Sequence, residues 1–443
     1  MTVARRNILL LLGGAILLLH LLGLYLQRQA SFYGVVAIAL AESAAYLLAV
    51  LTLRRGQAMR RGVWFILLVA ALLRASTVVF PPFLSSDMYR YVWDGRVQGA
   101  GVNPYRYVPA DQALLPLRDE AIYPDINRSD YARTIYPPAA QLIFFAVTRF
   151  SERVAAMKLA MLGFDVAAIF LLLSLLRGSG APPEQVLVYA WHPLTVWEIA
   201  GSGHVDAAVV TLLALALLAR QRNRAGLAGF ALAAAALVKF FPVVLFPAIY
   251  RRWDWRMPAA FAAVVAVLYI PYLSVGWGVL GYLPSYASEE RLASGSGFYL
   301  LGLLAYVTGR PDLSATVYIA AAGSIMCCIG VVVLLRQPRT ANDYIVGSLA
   351  LSTASFVLLT PHYPWYFLWL LPMLCIVPYW PALILTAVSF VLYVGLQYRH
   401  PNLELLIKLS PFGIFLVAVL IEQYARRRRR PVPPLAPPRT EAT

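Results

Sequence analysis

The chain has 443 residues, of which 60% are hydrophobic and only 13% are charged, and its formal net charge is +16. A soluble protein of this length could not bury so much apolar surface, so the composition favours a polytopic helical membrane protein. The positive charge is carried mainly by arginines in short segments between apolar runs, which is typical of topology signals and contacts with anionic lipid rather than of nucleic-acid binding.

Continuous apolar runs along the chain predict an all-α fold with roughly 11 to 14 transmembrane helices. The runs do not alternate between polar and apolar residues, which argues against a transmembrane barrel of strands. The N-terminal run begins like a signal peptide, but its apolar core is long, and we interpret it as a retained first span. The predicted spans lie near residues 7–26, 31–53, 62–82, 154–176, 185–200, 205–220, 225–238, 240–250, 257–275, 314–335, 343–360, 364–378, 381–397 and 410–425.

Arginine clusters between these spans predict the orientation of the chain. The positive-inside rule places them, and both termini, in the cytoplasm. These clusters are Arg5–Arg6, Arg54–Arg61, Arg177, Arg220–Arg224, Arg251–Arg256, Arg336–Arg339 and Arg426–Arg430. We therefore predict one transmembrane domain over residues 1–425, followed by a basic, proline-rich and disordered cytoplasmic tail at 426–443.

The same orientation places two long loops, residues 83–153 and 276–313, on the non-cytoplasmic side. The apolar stretches 137–150 and 297–309 must then lie on the outer face, or enter the membrane and return. A full crossing by either stretch would invert every later span. Short outer turns are predicted at 198–206, 360–364 and 398–409.

The first candidate site opens the loop 83–153 and combines paired charges with aromatic residues. Asp87 and Asp94 are two helical turns apart, so a helix would place both carboxylates on one face. One could act as a general base while the other orients substrate or holds a basic neighbour. The alternative is an ion-paired cap in which Arg90 and Asp94 bond at i,i+4. Further candidate ligands here are Arg90, Tyr91, Trp93, Arg96, Asn103 and Tyr105.

The second candidate site is a Gly-Ser-Gly break between two predicted spans, flanked by Glu198, His204 and Asp206. Ionisable groups at such depth are costly and usually face a polar cavity, so these residues predict substrate binding. His204 and Asp206 could also bind a metal, but two residues on one turn are a weak signal. Asp206 could instead cap a helix.

The third candidate is Lys239, which lies three residues before Pro242 in the apolar stretch 225–250. The pattern predicts a break in the helix, with the ammonium at the turn near the outer face. A positive charge there favours an anion such as a lipid phosphate. Snorkelling of the lysine to the interface is the alternative.

The fourth candidate is the segment 359–372, in which His362, Tyr363, Trp365 and Tyr366 lie between prolines at the outer end of a span. An interfacial aromatic belt would account for Tyr and Trp at this depth. A histidine in a proline-flanked turn equally favours a substrate site.

In their order along the chain, these motifs resemble those of the GT-C superfamily of integral-membrane glycosyltransferases. They are most similar to bacterial polyprenol-phosphate-mannose-dependent mannosyltransferases. The resemblance covers most of residues 62–380. It rests on Ser86-Asp87, Gly101-x-Asn103-Pro104-Tyr105, Tyr136-Pro137-Pro138, Gly203-His204-x-Asp206, the turn Lys239–Pro242 and His362–Tyr366.

The resemblance implies a GT-C-like fold, a lipid-linked sugar donor and an active site at the non-cytoplasmic surface of a bacterial inner or plasma membrane. It implies that Asp87 is the base that deprotonates the acceptor hydroxyl. Asp94 takes the place of a second acid, at a looser spacing than a tight Asp-x-Asp pair.

The leading hypothesis is therefore an inverting transfer of a hexose, with mannose favoured, from a polyprenyl-phosphate donor to a cell-envelope glycan or glycolipid. Lys239 and Arg96, assisted by His204 or His362, would stabilise the departing phosphate. A lipid-phosphate leaving group needs less help from a metal than a nucleotide diphosphate, so we predict no cofactor, no metal site and weak or no metal dependence. The alternatives are a transporter or flippase of a lipid-linked precursor and, thirdly, a non-catalytic assembly partner.

Overall fold

The computed structural model describes residues 3–54, 62–292, 294–310, 312–337, 340–397 and 401–428. Most of the predicted arginine cluster at 54–61 and of the predicted tail, from residue 429, therefore lies outside the described residues.

The described part of the chain contains helices and no strands, which confirms the all-α prediction. The α-helices are α1 (Val3–Arg28), α2 (Phe32–Arg54), α3 (Gly62–Val78), α4 (Asp87–Gly99), α5 (Pro138–Thr148), α6 (Val154–Gly178), α7 (Leu187–Ala190), α8 (Asp206–Gln221), α9 (Ala225–Ala236), α10 (Phe246–Ile249), α11 (Arg256–Tyr269), α12 (Leu283–Glu289), α13 (Tyr299–Thr308), α14 (Ala315–Leu335), α15 (Asp343–Leu359), α16 (Leu371–Leu374), α17 (Trp380–Val388), α18 (Val391–Gln397) and α19 (Pro401–Arg428). The 3₁₀ segments are Gln112–Leu117, Tyr123–Asp125, Pro183–Val186, Phe241–Leu245, Ile270–Leu280 and Pro364–Leu370, and Thr195–Gly201 is a π-helix.

Five helical stretches in the described ranges are long and apolar enough to cross a membrane, or six if one bent pair counts as a span. The protein is therefore a membrane protein with several spans. The five stretches are Arg5–Arg28, Phe32–Arg54, Val154–Gly178, Arg256–Glu289 and Ala315–Leu335. Other predicted spans correspond to shorter helices or to helices interrupted by a break, except that 410–425 lies within the 28-residue helix α19.

The two apolar stretches of the outer loops form short helices. Helix α5 has 11 residues and α13 has 10, so each is about 15 Å long, half the thickness of the hydrocarbon core. Neither can cross a bilayer alone, which agrees with the expectation that they lie on the membrane or enter it partway. The predicted outer turn at 398–409 differs, because α19 is helical from Pro401 onward.

Both predicted helix breaks occur, and they position the candidate residues. The π-helix Thr195–Gly201 and α8 meet at an angle of 118°. Gly203, between them, has φ +73°, a conformation that favours glycine, and Asp206 begins α8. Farther along, α9 ends at Ala236 and the 3₁₀ segment around Pro242 follows, so Lys239 lies in the turn between them.

Two pairs of ionisable side chains connect helices in the apolar interior. Arg74 on α3 and Asp165 on α6 are both buried and form a direct ion pair, and the Tyr189 hydroxyl donates to Asp165 Oδ1 at 2.6 Å. Glu42 on α2 lies 3.1 Å from Nδ1 of His20 on α1. Because a lone charge in hydrocarbon is costly, these pairs fix how α1, α2, α3 and α6 pack.

Helix α14 packs along only a narrow strip of its surface, with 11% of its most apolar window buried inside the protein. Cys327 and Cys328 on this helix are exposed, whereas Cys375 is buried. Cysteines within apolar runs are expected to be small core residues, and only Cys375 agrees with that expectation. The rest of the α14 surface is apolar and suits contact with lipid tails.

Candidate active site

A cavity of about 260 Å³ is lined by residues of the loop 83–153, by Lys239 in the second helix break and by the segment around Tyr363. It brings together residues from separate parts of the chain, including the predicted Asp87, Arg90, Lys239, Tyr363 and Trp365. The full lining is Leu84, Ser85, Ser86, Asp87, Arg90, Asn127, Arg128, Ala132, Arg133, Ile135, Tyr136, Lys239, Tyr286, Tyr363, Trp365, Tyr366 and Tyr393.

Asp87 is the carboxylate on the cavity wall. It is the first residue of α4, where the helix dipole favours negative charge. Asn127 Nδ2 donates to its Oδ1 at 2.7 Å, and the Tyr136 hydroxyl donates to its Oδ2 at 3.2 Å. The side chain keeps 17% of its surface exposed. Asp87 is therefore held by two donors and still reaches the cavity, as a general base must.

Lys239, another residue of the cavity lining, forms an ion pair with Asp206. Its Nζ lies 2.6 Å from Asp206 Oδ2, and Trp369 Nε1 donates to Asp206 Oδ1 at 2.9 Å. The ammonium also lies 4.9 Å from the ring centre of Tyr366, within cation–π range. Asp206 is fully buried, so it fixes Lys239 rather than binding substrate directly.

His204 and Glu198 lie behind the cavity wall and do not line it. The His204 ring is fully buried and stacks on Trp365 with ring centres 4.1 Å apart. Its Nδ1 is 3.9 Å from Asp87 Oδ2, and its Nε2 is 3.4 Å from Glu198 Oε2. The Tyr393 hydroxyl lies 3.0 and 2.9 Å from the two Glu198 oxygens. His204 is thus placed beside the candidate base rather than at a phosphate position.

Asp94 does not face the cavity. Its Oδ1 accepts from Arg90 Nε at 2.8 Å and its Oδ2 from Gln141 Nε2 at 3.0 Å, and both charged side chains are buried. Arg90 also donates to the carbonyl of Ala132 at 3.1 Å. The i,i+4 alternative therefore describes the geometry of Asp94, which leaves Asp87 as the accessible carboxylate of this pair.

We expect Asp94→Asn to lower the free energy of unfolding strongly while having a much smaller effect on the rate of the reaction. It leaves the buried Arg90 guanidinium without its counter-charge, at a cost of about 3–5 kcal/mol in unfolding free energy. A thermal unfolding scan in detergent checks the loss, with Asp130→Asn at an exposed position of the same loop as the control. A variant as stable as the wild type, but without activity, would contradict this assignment.

Arg96 also lies away from the cavity, contrary to its predicted role in phosphate binding. Its three nitrogens contact Glu152 at 2.8 Å, Asp119 at 2.7 Å and the Leu117 carbonyl at 3.0 Å. Partial burial acts to raise the pKa of Asp119. The hydrogen bonds from Arg96 and from two backbone N–H groups outweigh this effect and lower the pKa. All three guanidinium nitrogens contact acceptors within the loop 83–153, and these contacts hold the loop together.

The predicted ligands Tyr91, Trp93, Asn103 and Tyr105 pack into the fold instead of the cavity. Tyr91 stacks on Phe144 with ring centres 4.5 Å apart, and Trp93 is 2% exposed. Asn103 donates to the Tyr272 carbonyl at 3.0 Å and to Ser274 at 2.9 Å, while the Tyr105 hydroxyl donates to the Tyr136 carbonyl at 2.6 Å. These residues build the wall rather than the surface that a ligand would touch.

His362 contacts protein groups on both sides of its ring. Its Nε2 lies 2.9 Å from the Gly297 carbonyl, which can only accept, and its Nδ1 is 2.6 Å from Glu290 Oε2. Burial acts to raise the pKa of Glu290. The hydrogen bond and the charge interaction with His362 outweigh this effect and lower the pKa. His362 therefore anchors the segment after α12 and has no nitrogen left for a phosphate.

Sequence reasoning missed several cavity residues. Arg128 pairs with Glu289, with Nε 2.6 Å from Oε1, whereas Arg133 is exposed and has no ion pair among the residues that the structure describes. Both lie in an irregular part of the loop 83–153, where no periodicity marked them. The charged, amide and aromatic lining residues absent from the predicted site are Asn127, Arg128, Arg133, Tyr136, Tyr286 and Tyr393.

Comparison with known proteins gives one match. A family model described as MptA_B_family, "Alpha-(1->6)-mannopyranosyltransferase, N-terminal domain", matches residues 13–254, which is more than half of the chain. The matched range includes Asp87, His204, Asp206 and Lys239. No curated protein and no solved structure matches the chain significantly.

Proposed function

Since the chain belongs to this alpha-(1->6)-mannopyranosyltransferase family, and is therefore a glycosyltransferase-family membrane protein, we propose that it moves a mannosyl residue from a polyprenyl-phosphate donor to a cell-envelope glycan or glycolipid. The proposed reaction inverts the anomeric centre and takes place at the non-cytoplasmic face of the cell membrane. If the product bond is α, as the family description reads, an inverting enzyme requires a β-linked mannosyl phosphate.

One observation carries the proposal: Asp87 and Lys239 lie on the walls of the same cavity. A carboxylate held by Asn127 and Tyr136 provides a base, and the cations Lys239, Arg128 and Arg133 line the same cavity. Aromatic side chains complete the enclosure and offer flat surfaces on which a sugar ring can stack. These aromatic residues are Tyr136, Tyr286, Tyr363, Trp365, Tyr366 and Tyr393.

The chemistry follows from that arrangement. The acceptor hydroxyl oxygen forms a bond with the anomeric carbon while its proton passes to Asp87. The bond between the anomeric carbon and the phosphate oxygen breaks, and its electron pair leaves with the lipid phosphate. The negative charge that develops on this phosphate needs preorganised cations on the far side of the sugar from Asp87.

Lys239, Arg128 and Arg133 replace Arg96 and His362 as the proposed phosphate ligands. Lys239 and Arg128 each form an ion pair with a carboxylate. Each therefore presents the phosphate with the positive end of an ion pair and not with an uncompensated positive charge. Arg133 supplies the charge that is not balanced by a neighbouring acid among the described residues. With these cations at the cavity, we propose that transfer requires no divalent metal.

We expect Arg133→Ala to raise the KM for the donor by about tenfold or more, because a charge-assisted hydrogen bond contributes roughly 1.5–3 kcal/mol. Arg106→Ala is the matched control, since Arg106 is an exposed arginine of the same loop that does not line the cavity. Steady-state kinetics with varied donor concentration check both variants. A normal donor KM in Arg133→Ala would remove this residue from the phosphate site.

The proposed function is tested with the purified full-length protein and a synthetic polyprenyl-phosphate mannose, with and without a chelator. The expected result is a new mannosidic bond on an added mannoside acceptor, at similar rates in both conditions. Movement of the donor across liposomes without any new bond would instead identify a flippase. Transfer from a nucleotide sugar alone would overturn the lipid donor.

A further inference from the structure

His204 is a buried histidine with neither ring nitrogen in a hydrogen bond among the described residues. Its side chain is fully buried. Leaving buried polar atoms unpaired is costly and is seen most often where the group has a function. The ring is also tightly placed, between the stacked face of Trp365 and two carboxyl groups.

The two carboxyl groups differ in their surroundings. Asp87 reaches the cavity and accepts hydrogen bonds from Asn127 and Tyr136, which favours its charged form. Glu198 is fully buried, in surroundings that penalise a charge. The Tyr393 hydroxyl can donate to one Glu198 oxygen, leaving the other oxygen beside His204 Nε2.

We propose that His204 is a positioning residue for Asp87, neutral and protonated on Nδ1, with its tautomer set by Glu198. In this arrangement the neutral Glu198 donates to Nε2, and the Nδ1–H group points at Asp87 Oδ2. The inference rests on the proposed function in one respect only, the role of Asp87 as base. It replaces the expectation that His204 binds the donor phosphate.

Distances support this direction of action. His204 Nδ1 is 3.9 Å from Asp87 Oδ2, just beyond hydrogen-bond length, and catalytic contacts of this kind commonly shorten when substrate is bound. The other charged groups nearby are Asp206 and Lys239, which neutralise each other at 2.6 Å. The ring therefore responds mainly to Asp87 and Glu198. A third donor would orient the carboxylate toward the acceptor and keep it ionised until the proton arrives.

The first test compares His204→Phe, which keeps the stacked ring but removes both nitrogens, with His204→Gln. Matched control variants carry the same changes at His192, another fully buried histidine, which contacts Thr386. We expect His204→Phe to lower kcat by about 10- to 100-fold with little change in donor KM. Without the N–H donor, nothing on this side orients the Asp87 carboxylate toward the acceptor, so the loss falls on kcat.

His204→Gln, whose amide can still donate, is expected to recover part of this rate. A raised donor KM with an unchanged kcat would overturn the proposal and return His204 to the phosphate site. Unchanged kinetics in His204→Phe would overturn it as well.

The second test does not depend on turnover. Nitrogen-15 NMR of histidine-labelled protein reports the His204 tautomer, with the signal assigned by its loss in His204→Phe. We expect a neutral ring protonated on Nδ1 at pH 7, and an Nε2–H tautomer or an imidazolium would overturn the proposal. Failure of the wild-type protein to transfer mannose would count against the proposed function alone, because the tautomer is read without substrate.

Discussion

Asp87→Asn is expected to reduce kcat by roughly 10²–10⁴-fold, the range for removal of a general base. Asparagine has nearly the same shape as aspartate and still accepts a hydrogen bond from Tyr136. The cavity should therefore keep its form while losing the group that takes the acceptor's proton. Initial rates of mannosyl transfer, at saturating donor and acceptor, give the comparison.

Two controls make the Asp87 result specific. Asp130→Asn changes an exposed aspartate of the same loop and should leave the rate unchanged. Thermal unfolding of Asp87→Asn should match the wild type within a few degrees. Wild-type turnover in a folded Asp87→Asn protein would eliminate the proposed base and, with it, the mechanism.

The second large effect is expected from Lys239→Met. This change leaves the carboxylate of Asp206 buried without a counter-charge, and breaking such a pair costs about 3–5 kcal/mol of unfolding free energy. The same change removes an ammonium from the wall that faces the leaving phosphate. We therefore expect both a lower unfolding temperature and a transfer rate lower by at least about tenfold.

The double variant Lys239→Met/Asp206→Asn separates the two effects. Asparagine at 206 is neutral and still accepts from Trp369, so stability should return close to the wild-type value while activity stays low. Thermal unfolding and initial rates on the same preparations measure both. If the double variant regained full activity, the ammonium would have only a structural role.

The sequence predicted the scaffold well because its signals were local. Apolar run length indicates membrane helices, and Gly203 and Pro242 mark the two breaks whatever packs around them. Asp206 and Lys239, the ionisable groups next to these breaks, form an ion pair in the structure. Asp87 stood out because it follows directly on a span.

The contacts that set each side chain's role were not local, and sequence reasoning failed there. Arg96 forms ion pairs with Asp119 and Glu152, which are 23 and 56 residues away. No pattern in the sequence predicts those contacts. Helix α4 is short and surrounded by other elements. Because it has no exposed face, the spacing of its aromatic residues could not show which of them reach the cavity. Arg128 and Arg133 lie in an irregular loop, where position depends entirely on tertiary packing.

The Arg74–Asp165 pair has a consequence for how the protein is made. The two residues are 91 positions apart, so α3 leaves the ribosome long before α6 is synthesised. Until then the nascent chain must hold an unneutralised guanidinium in or beside the bilayer, at a cost of about 2.5–3.5 kcal/mol at its centre. Arrival of α6 removes that cost, which couples lateral release from the translocon to correct helix pairing and leaves chains truncated before α6 exposed to membrane proteases.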